Sequence, residues 1–324
     1  MILLPELELE LWVEPMSVLC VALNPAIDVS SDVARLVPTR KMRTHNERQE
    51  AGGGGVNVAR MIAELGGNPR LLVLSGGATG ALLEEMLSGL PIKVEVVRTR
   101  ALTRVAFMVH EEETNLEYRF VPEGPVIAAS EIEEALLKLE RFRSDFVVGS
   151  GSLPRGAPED TYARMAKIAT ANSAKFILDA SGEPLKRALD AGGIFLAKPS
   201  LGELEAVAGQ RLTSQSAREV AQALVRRGSA QYVAVTLGAD GALLAGPDGI
   251  HILPAANVQV RSAVGAGDAF VGALVWSLSH GGPPIEAFRM GVAAGAAAVM
   301  TRGMELARKE DVFTIYAHSL KPTQ

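Results

Sequence analysis

The sequence is poor in the residues that secreted and zinc-dependent proteins use. Its 324 residues include a single cysteine, Cys20, which excludes a disulfide bond within the chain. The five histidines are scattered, without the close spacing that a zinc site requires. A lone cysteine in an apolar run is typical of a protein from a reducing compartment, and we therefore expect a cytoplasmic protein.

Long apolar runs are missing as well. A membrane-spanning helix needs about 20 apolar residues, and the most apolar late stretch, 291–300, is about half as long and rich in alanine and glycine. We predict a buried helix there. Residues 1–15 lack a basic region and contain several glutamates, so we expect neither a secretory signal nor contact with a membrane. The Leu/Glu alternation at 7–10 predicts a short strand or an extra arm.

The charge balance excludes a global positive field. The chain has 37 acidic and 32 basic residues, a net charge of −5, so we expect no nucleic-acid partner. With 48% hydrophobic and 21% charged residues, the composition is that of a globular protein and excludes a wholly disordered chain. The length suffices for one large α/β domain or two smaller ones.

Apolar runs and amphipathic patterns take turns along the chain. Runs without polar alternation, separated by helical patterns, predict a mainly parallel sheet that helices cover on both faces. The predicted strands lie at 18–23, 70–74, 145–148, 175–178, 193–197 and 231–235. The predicted helices lie at 56–65, 80–88, 131–142, 159–171 and 217–227.

Two segments, 41–50 and 104–120, instead alternate polar and apolar residues. This pattern is typical of antiparallel strands with one face in water. It predicts a small sheet that projects from the core. Such a sheet would either cover a ligand cleft at the carboxyl ends of the main strands or form a surface hairpin.

A glycine-rich motif runs directly into a late helical pattern. It reads Arg261-Ser-Ala-Val-Gly-Ala-Gly-Asp268 and is followed by an apolar stretch. Glycines at a helix start let backbone N–H groups approach an anion, and the helix dipole adds positive potential. Asp268 would lie in the first turn, either as a cap or as a general base for a hydroxyl proton.

An early motif, Ala51-Gly-Gly-Gly-Gly-Val-Asn-Val-Ala-Arg60, holds four consecutive glycines. Such a run is costly to order and favours a close ligand contact, a hinge or a flexible loop. Asn57 would act either as a cap or as a hydrogen-bonding group for sugar hydroxyls.

The familiar nucleotide fingerprints are missing. No Gly-Lys pair occurs, which excludes a Walker A loop, and neither glycine cluster fits G-x-G-x-x-G because Asn57 and Phe270 occupy the sixth position. The H-R-D and D-F-G signatures of protein kinases are also missing.

The two glycine motifs, in this order, resemble the signatures of the PfkB (ribokinase-like) family of carbohydrate kinases, and the similarity is greatest to its phosphofructokinase branch. The resemblance covers roughly 18–316 and includes five further segments: Asn24-Pro-Ala-Ile-Asp28, Gly149-Ser-Gly-Ser-Leu-Pro154, Asp179-Ala-Ser-Gly182, Ala197-Lys-Pro199 with Glu203, and Thr236-Leu-Gly-Ala-Asp-Gly241.

The resemblance implies a fold and a division of the chain. The fold would be a ribokinase-like three-layer αβα sandwich, of the α/β class, with a mainly parallel central sheet and a small projecting β-sheet lid. The kinase domain would span 18–316, with lid strands from about 28–50 and 102–122. An N-terminal extension at 1–17 and a C-terminal tail at 317–324 would flank it.

The resemblance also implies an active site. Asp268 would be the catalytic base, and Gly265, Ala266 and Gly267 would form an anion hole. Four residues would hold the sugar hydroxyls: Asp28, Gly53, Gly54 and Asn57. Four would bind the nucleotide: Thr236, Gly238, Gly241 and Lys198. Glu203 would position Mg²⁺ through water.

Cations in the lid segments match those that grip a sugar phosphate in the phosphofructokinase branch. They are Lys41, Arg104 and Arg119, and Ser152 matches a further contact there. Arginine and lysine suit phosphate recognition. The alternative is that these cations are exposed strand residues that keep a sheet edge soluble.

Two positions and one segment depart from the family pattern. Ser200 stands where the family's Asn-x-x-Glu motif has asparagine, upstream of Glu203, and Ala263 replaces a threonine. Both changes predict weaker contacts to nucleotide or Mg²⁺. The segment from Thr301 to Glu305 differs from the related Asn-x-Gly-x-Arg, which places a monovalent-cation site in doubt.

The resemblance therefore implies an ATP-dependent, Mg²⁺-requiring kinase for a small sugar phosphate, preferably fructose 6-phosphate, and a homodimer formed through the lid. The alternatives are a 1-phosphofructokinase or tagatose-6-phosphate kinase, then a free-sugar kinase of the ribokinase or fructokinase type. A non-catalytic regulator that binds sugar phosphate or nucleotide is the remaining alternative.

Overall fold

A computed structural model describes residues 15–303 and 305–320 of the chain. The predicted arm at 7–10 lies outside these residues. The strands in chain order are β1 (Val18–Ala22), β2 (Ala26–Val33), β3 (His45–Gly52), β4 (Arg70–Gly76), β5 (Lys93–Thr99), β6 (Arg104–Glu111), β7 (Leu116–Phe120), β8 (Phe146–Ser150), β9 (Lys175–Asp179), β10 (Ile194–Ala197), β11 (Ala230–Thr236), β12 (Ala242–Gly246) and β13 (Gly249–Leu253).

Ten α-helices lie within the same part of the chain. They are α1 (Gly54–Glu64), α2 (Gly77–Ser88), α3 (Ala129–Arg141), α4 (Thr161–Ala171), α5 (Gly182–Ala191), α6 (Leu201–Ala208), α7 (Ser214–Arg226), α8 (Ala266–Ser279), α9 (Pro284–Ala298) and α10 (Lys309–Ser319). None of these helices combines the length and the hydropathy that a membrane crossing requires.

The large sheet has the order β13-β12-β11-β10-β9-β8-β1-β4-β5. Its strands are parallel except at one edge, where β11, β12 and β13 pair antiparallel. All five residues of β1 and all five of β8 are buried, because helices cover both faces. Leu19 and Val21 of β1 join one apolar cluster, and Cys20 and Ala22 join a second one. The predicted α/β fold is confirmed.

A second, four-stranded sheet has the order β3-β2-β6-β7, and we call it the lid sheet. Its outer pairs are antiparallel, as predicted, but β2 and β6 pair parallel along their whole length. The reason lies in the connections: β2 follows β1 and β6 follows β5, and both of those belong to the parallel sheet. The chain therefore enters the lid sheet twice in the same direction. Residues 41–44, predicted as strand, precede β3.

Helices α1 and α8 pack against each other where the two glycine motifs meet. A methyl group on Gly272 of α8 would lie 2.6 Å from the Cβ of Met61 in α1. The small residue lets the helices approach closely, and this approach sets the distance between the amino-terminal turns that carry Asn57 and Asp268. The fold thus places the two motifs together at the carboxyl edge of the large sheet.

We predict that Gly272→Ala destabilises the protein by about 1–3 kcal/mol, because the added methyl overpacks the α1–α8 contact. Urea unfolding followed by circular dichroism measures the change. Gly202→Ala in α6 is the matched control, since nothing lies within 4 Å of that position. The control should be neutral or stabilising by up to about 1 kcal/mol. Equal midpoints for Gly272→Ala and the wild type would contradict the packing argument.

Candidate active site

Helix α8 begins with a turn that only glycine adopts at low cost. Gly265, the residue before the helix, has φ 73° and ψ −3°, in the left-handed region. Gly267 and Asp268 follow in the first turn. The first backbone N–H groups of a helix have no partner within it, so this turn presents donors and the positive end of the helix dipole.

Asp268 is the carboxylate at the centre of the site. The Nδ2 atom of Asn57 donates a hydrogen bond of 2.9 Å to its Oδ2. Burial raises the pKa of Asp268 to about 7, and the negative charges of Asp179 and Asp28 add to this. The Asn57 hydrogen bond and the Lys198 charge oppose the rise in pKa. A carboxylate with a pKa near neutrality suits a general base at physiological pH.

A buried ion pair lies beside this carboxylate. The Nζ atom of Lys198 is 3.0 Å from Oδ1 of Asp179, and the two side chains are 6% and 13% exposed. Burial by itself lowers the pKa of Lys198, but the carboxylates of Asp179, Glu203 and Asp268 raise it above its ordinary value. A methyl group on Gly267 would lie 3.3 Å from this Nζ. A charged ammonium therefore faces the first turn of α8.

The early glycine run passes close to polar groups of two strands. A methyl group on Gly52 would overlap the carboxylate of Asp28 in β2. One on Gly54 would lie 2.5 Å from Oγ of Ser150, at the end of β8. Gly53 has φ 93°. The glycines therefore allow the backbone to pass close to side chains at the edge of the site. A flexible loop would not need such close contacts.

A cavity of about 170 Å³ lies between the lid sheet and the start of α8. It brings together eight residues that the sequence predicted: Asp28, Gly53, Gly54, Asn57, Arg104, Arg119, Gly265 and Asp268. Arg60, Val264 and Glu305 also line it. The two glycine motifs and two of the predicted lid cations therefore share one cavity.

Two arginines form a cationic corner beside Asp28. Arg104 donates from Nη2 to the carbonyl of Asn24, at 2.9 Å, and from Nη1 to that of Pro122, at 2.8 Å. Its Nε is buried without an acceptor among the residues that the structure describes. Arg119 is exposed on β7. Burial raises the pKa of Asp28, although the positive charges of Arg104 and Arg119 act against this.

The predicted nucleotide residues form a separate loop group on the same sheet edge. Thr236 ends β11, and its amide donates to the carbonyl of Pro199, next to Lys198. A single 3₁₀ turn starts at Gly238, and Gly241 follows it with φ 92°. This group therefore lies beside the Lys198 ion pair.

Ser200 and Glu203 form a reciprocal cap at the start of α6. The amide of Ser200 donates to Oε2 of Glu203 at 2.7 Å, and the amide of Glu203 donates to Oγ of Ser200 at 3.3 Å. The S-x-x-E spacing is the usual sign of such a capping box. Ser200 therefore has a structural role that a comparison with the family asparagine alone did not reveal.

Two of the predicted sugar-binding residues lie outside the cavity lining. Lys41 is exposed in the segment between β2 and β3. Ser152 is exposed and accepts a 3.0 Å hydrogen bond from Nδ2 of Asn24. Ser152 and Arg104 bond to different atoms of the same residue, Asn24. The roles of Lys41 and Ser152 in binding a sugar phosphate stay predictions.

Sequence reasoning gave no role to Asp179 or Arg60. Asp179 is the last residue of buried strand β9. A charged residue at the end of an apolar run could have indicated a functional role. Arg60 follows Asn57 by one helical turn and bonds to Oε2 of Glu50 and the carbonyl of Ala51, each at 2.8 Å. It holds the glycine run against the lid sheet.

The comparisons with known proteins show the family of the chain. Residues 17–310 match the family described as pfkB family carbohydrate kinase. The ATP-dependent 6-phosphofructokinase isozyme 2 of Mycobacterium tuberculosis is 39% identical over 310 residues, which cover 95% of this chain and 91% of that protein. The 1-phosphofructokinase of Haloferax volcanii is 33% identical over 303 residues, which cover 93% of this chain and 97% of that protein.

A solved structure has the same fold. The phosphofructokinase-2 of Escherichia coli, in complex with potassium, superimposes with a TM-score of 0.91 at 34% identity, covering 94% of this chain and 100% of that one. The family match, the relatives and the superposition all extend over most of the chain. The chain therefore belongs to the pfkB family of carbohydrate kinases.

Proposed function

We propose that the protein transfers the γ-phosphoryl group of ATP to the 1-hydroxyl of fructose 6-phosphate and releases fructose 1,6-bisphosphate. The observation that carries the proposal is the Asp268 carboxylate, bonded to Asn57 in the cavity that the positive end of α8 and the two lid arginines share. The 39% identity to a 6-phosphofructokinase supports the choice of sugar. The Escherichia coli relative has also been solved in complex with fructose-6-phosphate.

The acceptor sugar would lie in the cavity with its 6-phosphate and its 1-hydroxyl in different surroundings. Arg104 and Arg119 would bind the 6-phosphate, since guanidinium groups pair with phosphate oxygens. Asp28, Gly53, Gly54 and Asn57 would hold the hydroxyls. The 1-hydroxyl would then face Asp268.

Catalysis would follow from positioning and charge. Asp268 accepts the proton of the 1-hydroxyl, and the resulting oxygen attacks the γ-phosphorus in line while ADP leaves. Negative charge on the phosphoryl oxygens would be stabilised by the amides of Gly265, Ala266 and Gly267 and by Lys198. These donors are fixed before the reaction, so little reorganisation is needed.

Kinases of this family use ATP and Mg²⁺, and the chain has residues that fit both. The loop group of Thr236, Gly238 and Gly241 would bind the nucleotide. One carboxylate oxygen of Glu203 accepts the Ser200 amide, which leaves the other to hold a water ligand of Mg²⁺. When bound, Mg²⁺ neutralises phosphate charge.

The segment from Thr301 to Glu305 does not favour a monovalent-cation site in this chain. The side chain of Thr301 donates to the carbonyls of Ala298 and Glu305, and the carboxylate of Glu305 pairs with Arg48. The oxygens of Thr301 and Glu305 are thus already bonded to other groups of the protein. The Escherichia coli relative, in contrast, has been solved in complex with potassium.

We also propose a homodimer through the lid sheet. Phe107, Leu116 and Phe120 of the lid strands are 49%, 54% and 58% exposed. Exposed large apolar side chains on one sheet are typical of an interface. A structure of the Escherichia coli relative is described as a tetrameric inhibited form.

The division of the chain into an N-terminal extension at 1–17, a kinase domain at 18–316 and a C-terminal tail at 317–324 stays a prediction.

A second candidate is transfer to fructose 1-phosphate, favoured by the 33% identity to a 1-phosphofructokinase. Assays of ADP release with fructose 6-phosphate, fructose 1-phosphate, tagatose 6-phosphate and free fructose or ribose separate the candidates. Turnover with fructose 6-phosphate at the highest kcat/KM is the expected result. A higher kcat/KM for any other sugar would replace the preferred substrate.

We predict that Asp268→Asn lowers kcat by about 10²–10⁴-fold, which is the usual size of a general-base contribution. The coupled ADP-release assay measures it, and thermal unfolding checks that the variant is folded. Asp248→Asn, an exposed position in the turn between β12 and β13, is the control and should keep wild-type turnover. Near-wild-type kcat in Asp268→Asn would remove the base assignment.

The raised pKa of Asp268 predicts the pH dependence of kcat/KM. The carboxylate is protonated below about pH 7, so kcat/KM should fall roughly tenfold per pH unit below that point. Because the Asn57 hydrogen bond lowers the pKa of Asp268, Asn57→Ala should move the inflection to higher pH. The substrate phosphate also titrates near pH 6. An inflection caused by the substrate phosphate would stay at the same pH in Asn57→Ala. An unmoved inflection would therefore contradict the assignment of the pH dependence to Asp268.

Arg119→Ala should raise KM for the sugar phosphate at least about tenfold, since it removes a charge-assisted contact to phosphate, and should leave KM for ATP unchanged. Initial rates at varied sugar and ATP measure both constants. Arg35→Ala is the control, because Arg35 is exposed and pairs with Glu113, away from the cavity. An unchanged sugar KM in Arg119→Ala would favour a free-sugar kinase.

A further inference from the structure

The lid sheet contacts the rest of the protein through both of its edge strands. On β7, Oε2 of Glu117 accepts a 2.7 Å hydrogen bond from Oγ of Ser262. On β3, Arg48 pairs with Glu305. Ser262 lies just before α8, and Glu305 lies after α9.

The two contacted segments are bonded to each other. The amides of Arg261 and Ser262 both donate to the carbonyl of Val299, at 2.7 and 3.3 Å. The lid sheet therefore holds one connected pair of loops, and this pair borders the cavity through Val264 and Glu305.

Ser262 links the lid contact to the proposed anion hole. Its side chain is buried, at 3% exposure. While the hydroxyl donates to Glu117, the same Oγ accepts a 3.2 Å hydrogen bond from the amide of Val264. Gly265, the residue that starts α8, comes next. The shape of the turn into the helix therefore depends on a hydroxyl that the lid orients.

Strand β7 carries this contact and a proposed phosphate contact on one face. Side chains two residues apart in a strand point to the same side, so Glu117 and Arg119 do. Tyr118 points to the other side, where its hydroxyl bonds to Oε2 of Glu111 at 3.3 Å. A sugar phosphate bound to Arg119 would order the strand that also holds Ser262.

We propose that Glu117 and Ser262 are positioning residues, which hold the turn 262–265 in the shape of the anion hole and connect it to the sugar-phosphate contact at Arg119. The inference rests on the proposed function for the identity of the substrate. Neither residue touches the reacting atoms in this scheme. Loss of their bond therefore acts on the phosphoryl-transfer step, while the sugar phosphate keeps its own arginine contacts.

Steady-state kinetics on Glu117→Ala, Glu117→Gln, Ser262→Ala and the double alanine variant test the proposal. A hydrogen bond to a charged group corresponds to roughly a tenfold effect or more. We expect kcat to fall about tenfold in each single alanine variant, with the sugar KM changed less than about twofold. Glu117→Gln keeps an acceptor and should recover most of kcat. The double variant should be no slower than the slower single one, because both remove the same bond.

Glu112→Ala is the matched control, since Glu112 is an exposed lid carboxylate that pairs with His45. It should retain wild-type kcat. Single effects that multiply in the double variant, or a rise in the sugar KM as large as the fall in kcat, would overturn the proposal. Those results would indicate two independent losses or a merely weakened lid.

Hydrogen exchange gives a readout that does not need turnover. In the protein without ligand, the amide of Val264, which donates to Oγ of Ser262, should exchange about tenfold faster in Glu117→Ala than in the wild type or Glu112→Ala. Unchanged exchange would overturn the proposal. If the wild type turned over none of the phosphosugars, the proposed function would fail, and the exchange result would still decide whether Glu117 holds the turn.

Discussion

A carboxylate held at the positive end of a helix is the interaction on which the site depends. Asp268 is half-buried in the cavity wall, and two groups oppose its protonation: the Asn57 amide, 2.9 Å away, and the charge of Lys198. Burial and the nearby carboxylates act in the other direction. The balance leaves a pKa of about 7, so the group can take a hydroxyl proton at neutral pH and lose it again.

The fold supplies each part of this balance from a different place in the sequence. Close packing of α1 on α8, over Gly272, brings Asn57 to Asp268. The parallel order of the large sheet brings the ends of β9 and β10 together, so that Asp179 and Lys198 pair. The lid sheet closes the opposite side, with Arg104 and Arg119 in the cavity and its edge strands bonded to the loops around α8.

The sequence predicted what depends on local pattern and missed what depends on pairing. The unbroken apolar runs predicted the central strands, and the resemblance of the two glycine motifs to a known family implied that Asn57 and Asp268 belong to one site. The parallel pairing of β2 with β6 depends on where the chain enters the lid sheet, which periodicity does not record. The Lys198–Asp179 pair joins strand ends that are distant in the sequence. The capping role of Ser200 was missed because this serine was compared only with the family asparagine. Lys41 lies in residues 41–44, where the alternating pattern predicted a strand that the structure does not show.

A crystal structure of the protein with fructose 6-phosphate and a non-hydrolysable ATP analogue tests the central claim most directly. The account predicts the 1-hydroxyl within about 3.2 Å of a carboxylate oxygen of Asp268, and the terminal phosphate of the analogue at the first turn of α8. A sugar whose hydroxyls all point away from Asp268, or a terminal phosphate remote from Gly265 and Gly267, would contradict it.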